Sequence, residues 1–283
     1  MAYESYLAKA DEKAARDLAA TQSPFQIEIR FLGGLTLQQQ NAFKKAADRW
    51  THVIVGDLPA VQVDGELIDD VLILAQGVAI DGPGRILGQA GPTHLRPAAA
   101  GASAYIPAKG IMSFDTADLK AMQQQGTLND VITHEMGHVL GFGTIWTPKK
   151  LLKGSATTNP TFSGKNAMSE YKGLRHLAGR ATQVPVENMG GPGTRDSHWR
   201  ESVFGNELMS GYIGAAGNPL SRLTVASLWD LGYVVNFDAA EPYQLPDLLM
   251  LAEAGVIATR ARPADDAVVL PSIPVTLPSE SLR

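Results

Sequence analysis

The alternation and the helical spacing of hydrophobic residues predict a strand followed by a helix near the start of the chain. Apolar and polar residues alternate in QIEIRFLG, residues 26–33, as they do in a β-strand with one buried face. The segment TLQQQNAFKKAADRWTHVI then repeats its apolar residues with the period of a helix: Leu37, Phe43, Ala46, Ala47, Trp50 and Val53. We therefore expect this helix to back a sheet that contains the strand.

Further strands are predicted as far as residue 115. Residues 67–80 are rich in Val, Ile and Leu and end at the turn sequence DGPG. ILGQAGP (residues 86–92) and GIMSFD (residues 110–115) have the pattern of two more short strands. The first twenty residues are charged and amphipathic, and they predict a helix.

A helical period returns at residues 128–140 and carries two adjacent stripes of side chains. Leu128, Ile132, Met136 and Val139 form an apolar stripe, whereas Val131, His134, Glu135 and His138 form its neighbour. Residues 144–218 are dense in Gly, Pro, Asn and Ser and predict irregular structure, with a short helix near residues 168–177. LTVASLWDLGYVV, residues 223–235, predicts a helix that stops at Gly232.

Together these patterns predict an α/β (α+β) protein with a mixed sheet, backing helices and a mostly irregular second lobe. The end of the chain predicts one more helix within residues 245–257 and then a Pro-punctuated segment that is extended or loosely docked. The expected division is a helical extension at 1–24, a first lobe at 25–141, a second lobe at 142–240 and a C-terminal helix and tail at 241–283.

Composition excludes several classes of function. A formal net charge of −5 and a pI of about 5.7, without a long basic run, argue against binding of nucleic acid. There are no cysteines, so disulfides, cysteine nucleophiles and thiolate metal sites are excluded together. No apolar run is long enough to cross a membrane or to serve as a secretory signal, so we expect a soluble protein that is cytoplasmic or leaves the cell without a cleaved leader.

The sequence HEMGH contains the residues of a metal-dependent hydrolase. Two histidines four positions apart lie on the same helical face, so His134 and His138 can bind one ion. Zinc accepts imidazole nitrogens, and a catalytic zinc keeps one position open for water. Glu135 flanks that position and can accept the proton of the water. The short motif also occurs by chance, and its surroundings therefore matter.

Those surroundings resemble the metzincin zinc peptidases and, within them, the leishmanolysin-like branch. His134, Glu135, His138 and Gly141 match the metzincin sequence HExxHxxG, although Thr144 stands where most members have their third histidine. The leishmanolysin-like branch instead places that histidine after a long insertion, in an HW pair upstream of the sequence ELM. This chain has Phe142 after the glycine, then His198 with Trp199, and then Glu207, Leu208 and Met209. The likeness spans residues 26–235.

The resemblance implies a metzincin-type fold with zinc in a cleft between two lobes, and a zinc-dependent endopeptidase acting on proteins or peptides. It implies that His134, His138 and His198 bind zinc, that Glu135 is the general base, that Met209 forms an apolar floor and that Gly141 makes the turn. Tyr212, three residues after Met209, is a further candidate for contact with the metal or the oxyanion. Leishmanolysins are rich in disulfides, and this chain cannot share that property.

Three alternatives remain at the level of sequence. His176 is a rival third ligand, and Glu170 is the ligand that a gluzincin-type peptidase would recruit from a later helix. A non-catalytic binding module on the same scaffold is also possible. If the protein is a peptidase, we expect an extended substrate to pair with residues 86–92 at the edge of the sheet. Calcium binding and the oligomeric state are left open.

Overall fold

The structure is a computed structural model that describes residues 3–84, 86–176, 178–191, 193–247 and 268–283. Most of the regular structure lies in the first 139 residues. The strands are β1 Glu4–Lys9, β2 Gln26–Gly33, β3 Val61–Val63, β4 Glu66–Ile68, β5 Val71–Val78, β6 Ile86–Leu95, β7 Pro107–Asp115, β8 Leu152–Lys153, β9 Thr161–Phe162, β10 Val184–Pro185, β11 Val268–Pro271 and β12 Val275–Thr276. The α-helices are α1 Glu12–Ala19, α2 Leu37–Val53, α3 Thr116–Gln125, α4 Leu128–Val139, α5 Lys165–Leu174, α6 Glu201–Phe204 and α7 Arg222–Leu231.

The central sheet is mixed and has the order β1-β2-β5-β7-β6-β11, with β12 also paired to β6. Strands β2, β5 and β7 are mutually parallel, whereas β6 runs antiparallel to β7. The alternation in β2 buries Ile27, Ile29 and Phe31 on one face. The mixed α/β fold predicted from the sequence is confirmed.

Helix α2 backs the sheet and supports helix α4, which carries the sequence HEMGH. It begins at Thr36, which forms a capping box with Gln39. The indole of Trp50 is buried and donates a hydrogen bond to the carbonyl oxygen of Thr133 in α4, at 2.9 Å. The apolar stripe of α4, with Ile132, Met136 and Val139, is buried in the same core cluster as α2. The face of α4 that carries the histidines is therefore held in a fixed direction.

The helix predicted for the first twenty residues is wrong over its first half. Residues 4–9 form the strand β1, antiparallel to β2, and only α1 at residues 12–19 is helical. Ala8 is buried, and the Tyr6 hydroxyl donates a hydrogen bond to the Asp48 carboxylate at 2.8 Å. Pairing with the open edge of β2 outweighs the modest helix propensity of ESYLAK.

The tail of the chain is docked more closely than its composition suggests. Strands β11 and β12 both run parallel to β6, on the side that β7 leaves free. The edge at residues 86–92, where we expected a substrate to pair, is therefore covered by the chain itself. The predicted helix at 245–257 lies largely outside the described residues.

None of the helices among the described residues has the length and apolar character that crossing a lipid bilayer requires.

Candidate metal centre and active site

Helix α4 brings His134, Glu135 and His138 to the wall of a cavity of about 710 Å³. The other walls come from β6, from loop residues 190, 191 and 193–198, from residues 211–213 and from the C-terminal segment 269–272. All three side chains are largely buried, with exposed fractions of 5%, 8% and 6%. The helical spacing thus places two imidazoles and one carboxylate at one buried point.

A sharp turn at Gly141 ends this helix and brings the chain back beneath it. Gly141 has φ of 106°, a value that residues with a Cβ rarely adopt. A Cβ at this position would also lie 2.7 Å from Cδ1 of Ile145. The turn directs the carbonyl oxygen of Phe142 toward His138, and these two groups are joined by a hydrogen bond of 2.9 Å.

His198 reaches the same point from the loop that precedes α6. Its Nε2 lies 2.9 Å from Nε2 of His134 and 2.9 Å from Nε2 of His138, and the last two atoms are 3.1 Å apart. The ring of His198 is 5% exposed. The three imidazoles therefore converge through their Nε2 atoms, and among the described residues they form a group that could hold a metal ion.

Each of the three rings is oriented by a backbone carbonyl at its other nitrogen. Nδ1 of His134 donates to Leu208 O at 2.7 Å, Nδ1 of His138 donates to Phe142 O, and Nδ1 of His198 donates to Thr194 O at 2.9 Å. A carbonyl oxygen can only accept, so the proton of each neutral ring must be on Nδ1. Each Nε2 consequently carries a lone pair that faces the other two.

These lone pairs fit a divalent cation. Burial lowers the pKa of His134 to about 4 and that of His138 to about 3, and burial with the two neighbouring rings lowers the pKa of His198 well below its ordinary value. Protonation at neutral pH therefore cannot relieve the contact. Tetrahedral zinc with imidazole nitrogens at about 2.0–2.1 Å separates these atoms by about 3.3 Å, only a few tenths of an ångström more than is found.

Glu135 faces the same cavity with its carboxylate. Among the described residues, no side chain forms a hydrogen bond with this carboxylate, and burial raises its pKa to about 8. A dication beside it would favour the ionised form. A carboxylate in such a position can take and return a proton.

Met209 lies beneath the helix that carries the motif. It is fully buried, and its Sδ and Cε atoms pack so closely on Gly137 that a Cβ there would lie 2.9 Å from each. Tyr212, three residues later, lines the cavity. The apolar support and the tyrosine thus both come from the segment that follows Glu207.

Glu207 holds this segment in place through a buried network. Its carboxylate accepts hydrogen bonds from the backbone N–H of Met209 at 2.6 Å, from the Ser221 hydroxyl at 2.6 Å and from the Thr224 hydroxyl at 2.5 Å. Thr224 Oγ1 in turn accepts from the indole N–H of Trp199, the residue after His198. The network therefore connects the Leu208 carbonyl, which orients His134, with the segment that carries His198.

The rival ligands lie elsewhere. Glu170 forms an ion pair with Arg222 at 3.3 Å and lines a different cavity, together with the exposed His176. Thr144 donates its hydroxyl proton to His138 O. The gluzincin-type alternative that uses Glu170 is therefore wrong, because α5 packs against α7 and away from the three histidines.

Sequence reasoning missed several groups that build this centre. The carbonyls of Phe142, Thr194 and Leu208 carry no signal in the sequence, because any residue supplies a carbonyl. Gly137 did carry a signal in the sequence. A glycine inside a helix lowers helix stability by about 1 kcal/mol relative to alanine, and its presence there indicates a reason such as close packing.

About half of this chain is similar to known proteins. A family model described as leishmanolysin matches residues 102–246, which is 145 of the 283 residues. The chain is 28% identical over 143 residues to a leishmanolysin homolog of Crithidia fasciculata, a match that covers 48% of this chain and 21% of the relative. It is also 27% identical to the leishmanolysin of Leishmania tropica and 28% identical to that of Leishmania major, where the match covers 48% of this chain and 21% and 23% of those proteins.

The chain thus spans less than a quarter of the length of these relatives. The matched residues include α4, the turn at Gly141, His198 and the segment from Glu207 to Met209. This chain belongs to the leishmanolysin family of zinc metallopeptidases.

Proposed function

We propose that this protein is a zinc-dependent endopeptidase that hydrolyses peptide bonds in protein substrates. The observation that carries the proposal is the convergence of three neutral imidazoles through Nε2, each oriented by a backbone carbonyl. A buried carboxylate beside this centre supplies the remaining group that peptide hydrolysis needs.

In this proposal His134, His138 and His198 hold the zinc ion, and Met209 provides the apolar support beneath them. When bound, zinc polarises the scissile carbonyl and lowers the pKa of water toward about 7. Glu135 accepts a proton from the attacking water and later donates it to the leaving amine. Tyr212 lines the cavity and is assigned a hydrogen bond to the carbonyl oxygen as negative charge develops there.

Removal of the metal is the direct test of this function. We expect the purified protein to bind one zinc ion and to digest casein, and we expect 1,10-phenanthroline to stop digestion until zinc is restored. Zinc content by mass spectrometry and casein zymography measure the two properties separately. A protein that binds zinc and cleaves none of a panel of unfolded proteins would instead support a non-catalytic module on this scaffold.

Substitution of Glu207 by glutamine should weaken zinc binding although Glu207 is remote from the metal. All the partners of this carboxylate are donors, so an amide group would place an N–H against one of them. Loss of partners that orient ligands commonly lowers metal affinity by roughly 10–100-fold. Competition with a chromophoric chelator gives the dissociation constant. An unchanged constant in a folded variant would show that the network does not position the ligands.

A further inference from the structure

The C-terminal strand β11 occupies the edge of the sheet beside the candidate active site. It pairs with β6 in a parallel register that places Val269 opposite Gly88, Leu270 opposite Gln89 and Pro271 opposite Ala90. Beyond the strand, the Ser272 hydroxyl donates a hydrogen bond to Pro92 O at 2.6 Å. The backbone groups on this side of β6 are thus used by the chain itself.

The segment 269–272 is also enclosed from its other side. It lies against loop residues 193–198 and leaves no room for a side chain at Gly193, where a Cβ would lie 2.9 Å from Val269 O. On β6, a Cβ at Gly91 would lie 2.6 Å from Oγ of Ser272. The segment therefore lies between the strand and the loop that carries Thr194 and His198.

This position coincides with the cavity of the three histidines. Val269, Pro271 and Ser272 line the same cavity as His134, Glu135, His138 and His198. An extended peptide that approaches these groups can bind by adding a strand to the edge of the sheet. Main-chain hydrogen bonds then contribute to its affinity and hold it in register. The edge nearest α4 is that of β6, and β11 covers it.

We propose that residues 269–272 are an internal competitor of the substrate: the endopeptidase is latent in molecules whose segment lies on β6 and active in the fraction whose segment has left it. The inference rests on the proposed peptidase function and adds its regulation. Displacement of the segment exposes the hydrogen-bonding edge and widens the approach to the three histidines.

The rest of the tail is anchored independently of this contact. Leu277 donates its N–H to Leu95 O at 2.9 Å, and Arg283 donates its N–H to Ala60 O at 2.9 Å. Leu277 and Leu282 pack on the small core cluster around Val61. A segment that remains tethered has a high effective concentration at its site, so it competes well even if its intrinsic affinity is low.

The contact at the edge itself buries little apolar surface. Leu270 is 41% exposed and Ile273 is 94% exposed. Pro271 has no N–H to donate to the ladder. Elements with few buried apolar contacts open at low cost, and this property suits a segment that must dissociate reversibly.

A disulfide lock tests the proposal in this cysteine-free chain. Gln89 and Leu270 are register partners with exposed side chains, and neighbouring strands lie at about 4.8 Å, within the range that a disulfide spans. We expect the oxidised double variant Gln89→Cys/Leu270→Cys to digest casein at least roughly tenfold more slowly than its reduced form. A control lock, Leu7→Cys/Glu28→Cys, joins β1 and β2 at the opposite edge of the sheet and should leave the rate unchanged on oxidation.

A release variant should act in the opposite direction. Val269→Asp places a charge where a half-buried apolar side chain packs on the core, and Ser272→Ala removes the hydrogen bond to Pro92 O. The double variant should digest casein roughly tenfold faster than the unchanged protein, because a larger fraction of molecules has a free edge. Its thermal unfolding should remain close to that of the unchanged protein.

Binding of fluorescein-labelled casein, followed by anisotropy, supplies a readout that does not require hydrolysis. The oxidised lock should weaken binding roughly tenfold relative to the reduced form. Equal binding and equal rates in the oxidised and reduced forms would overturn the latency proposal while leaving the peptidase intact. If no form cleaves casein, the proposed function fails, and the binding measurement alone still decides whether the segment blocks the edge.

Discussion

The Glu135→Gln variant should bind zinc like the unchanged protein and lose nearly all of its peptidase activity. Glutamine has almost the same size and leaves the three imidazoles in place, but it cannot accept the proton of the attacking water. Loss of a general base lowers the rate by roughly 10²–10⁴-fold, and we expect kcat/KM for casein or a derived peptide to fall by that factor. Zinc content and steady-state kinetics on one preparation measure both effects.

Glu170→Gln is the matched control for this substitution. Glu170 is also a carboxylate on a helix, but it pairs with Arg222 and lines the other cavity. Its loss should leave kcat/KM within roughly twofold of the unchanged value, since surface ion pairs contribute little. Full activity in the zinc-loaded Glu135→Gln variant would remove Glu135 from the chemistry.

The His198→Ala variant should lose both zinc and activity. Two imidazoles from one helical turn remain after this change, and they leave the ion with too few protein ligands for a catalytic site. The loss of affinity should exceed the roughly 10–100-fold effect of removing a group that only orients a ligand. Equilibrium dialysis against zinc gives the zinc affinity, and casein digestion gives the peptidase activity.

His176→Ala separates a loss of this particular ligand from a general effect of removing a histidine. His176 is exposed and lies with Glu170 at the other cavity, so its variant should keep one zinc ion and its activity. If His198→Ala retained zinc with unchanged affinity and His176→Ala lost it, the third ligand would be misassigned.

The elements around the metal centre are those that local sequence describes best. The positions of His134 and His138 on one helical face follow from a period of 3.6 residues, and a glycine at position 141 indicates where the helix must end. The strand β2 and the helix α2 also follow from their periods, because each buries one face against the core. His198 could be assigned to the same site as this helix only through the short sequences HW and ELM. No local pattern relates residues that are 60 positions apart.

The two outer strands could not be predicted, for a common reason. The residues ESYLAK and VVLP become β1 and β11 because open edges of the sheet accept their backbone groups, and such an edge exists only after the sheet has formed. The charged composition of the first segment favoured a helix, and the prolines of the last favoured a loose tail. In both segments, pairing with a strand of the folded sheet determines the observed structure.

The orientation of the imidazoles is likewise a property of the folded chain. The Leu208 carbonyl faces His134 because Glu207 holds the N–H of Met209 and the hydroxyls of Ser221 and Thr224. In the sequence Glu207 is known only as the first residue of ELM, and the burial of its carboxylate depends on the packing of α7 against it. The motif therefore predicts the proposed chemistry of the site, whereas the orientation of its imidazoles depends on contacts from distant residues.

X-ray absorption at the zinc edge of the zinc-loaded protein tests the central claim most directly. Convergence of His134, His138 and His198 predicts a first shell of nitrogen and oxygen atoms at about 2.0–2.1 Å, with the multiple scattering of three imidazoles and one further oxygen ligand. A shell with fewer than three imidazoles, a sulfur ligand at about 2.3 Å, or a protein that takes up no zinc would contradict the account.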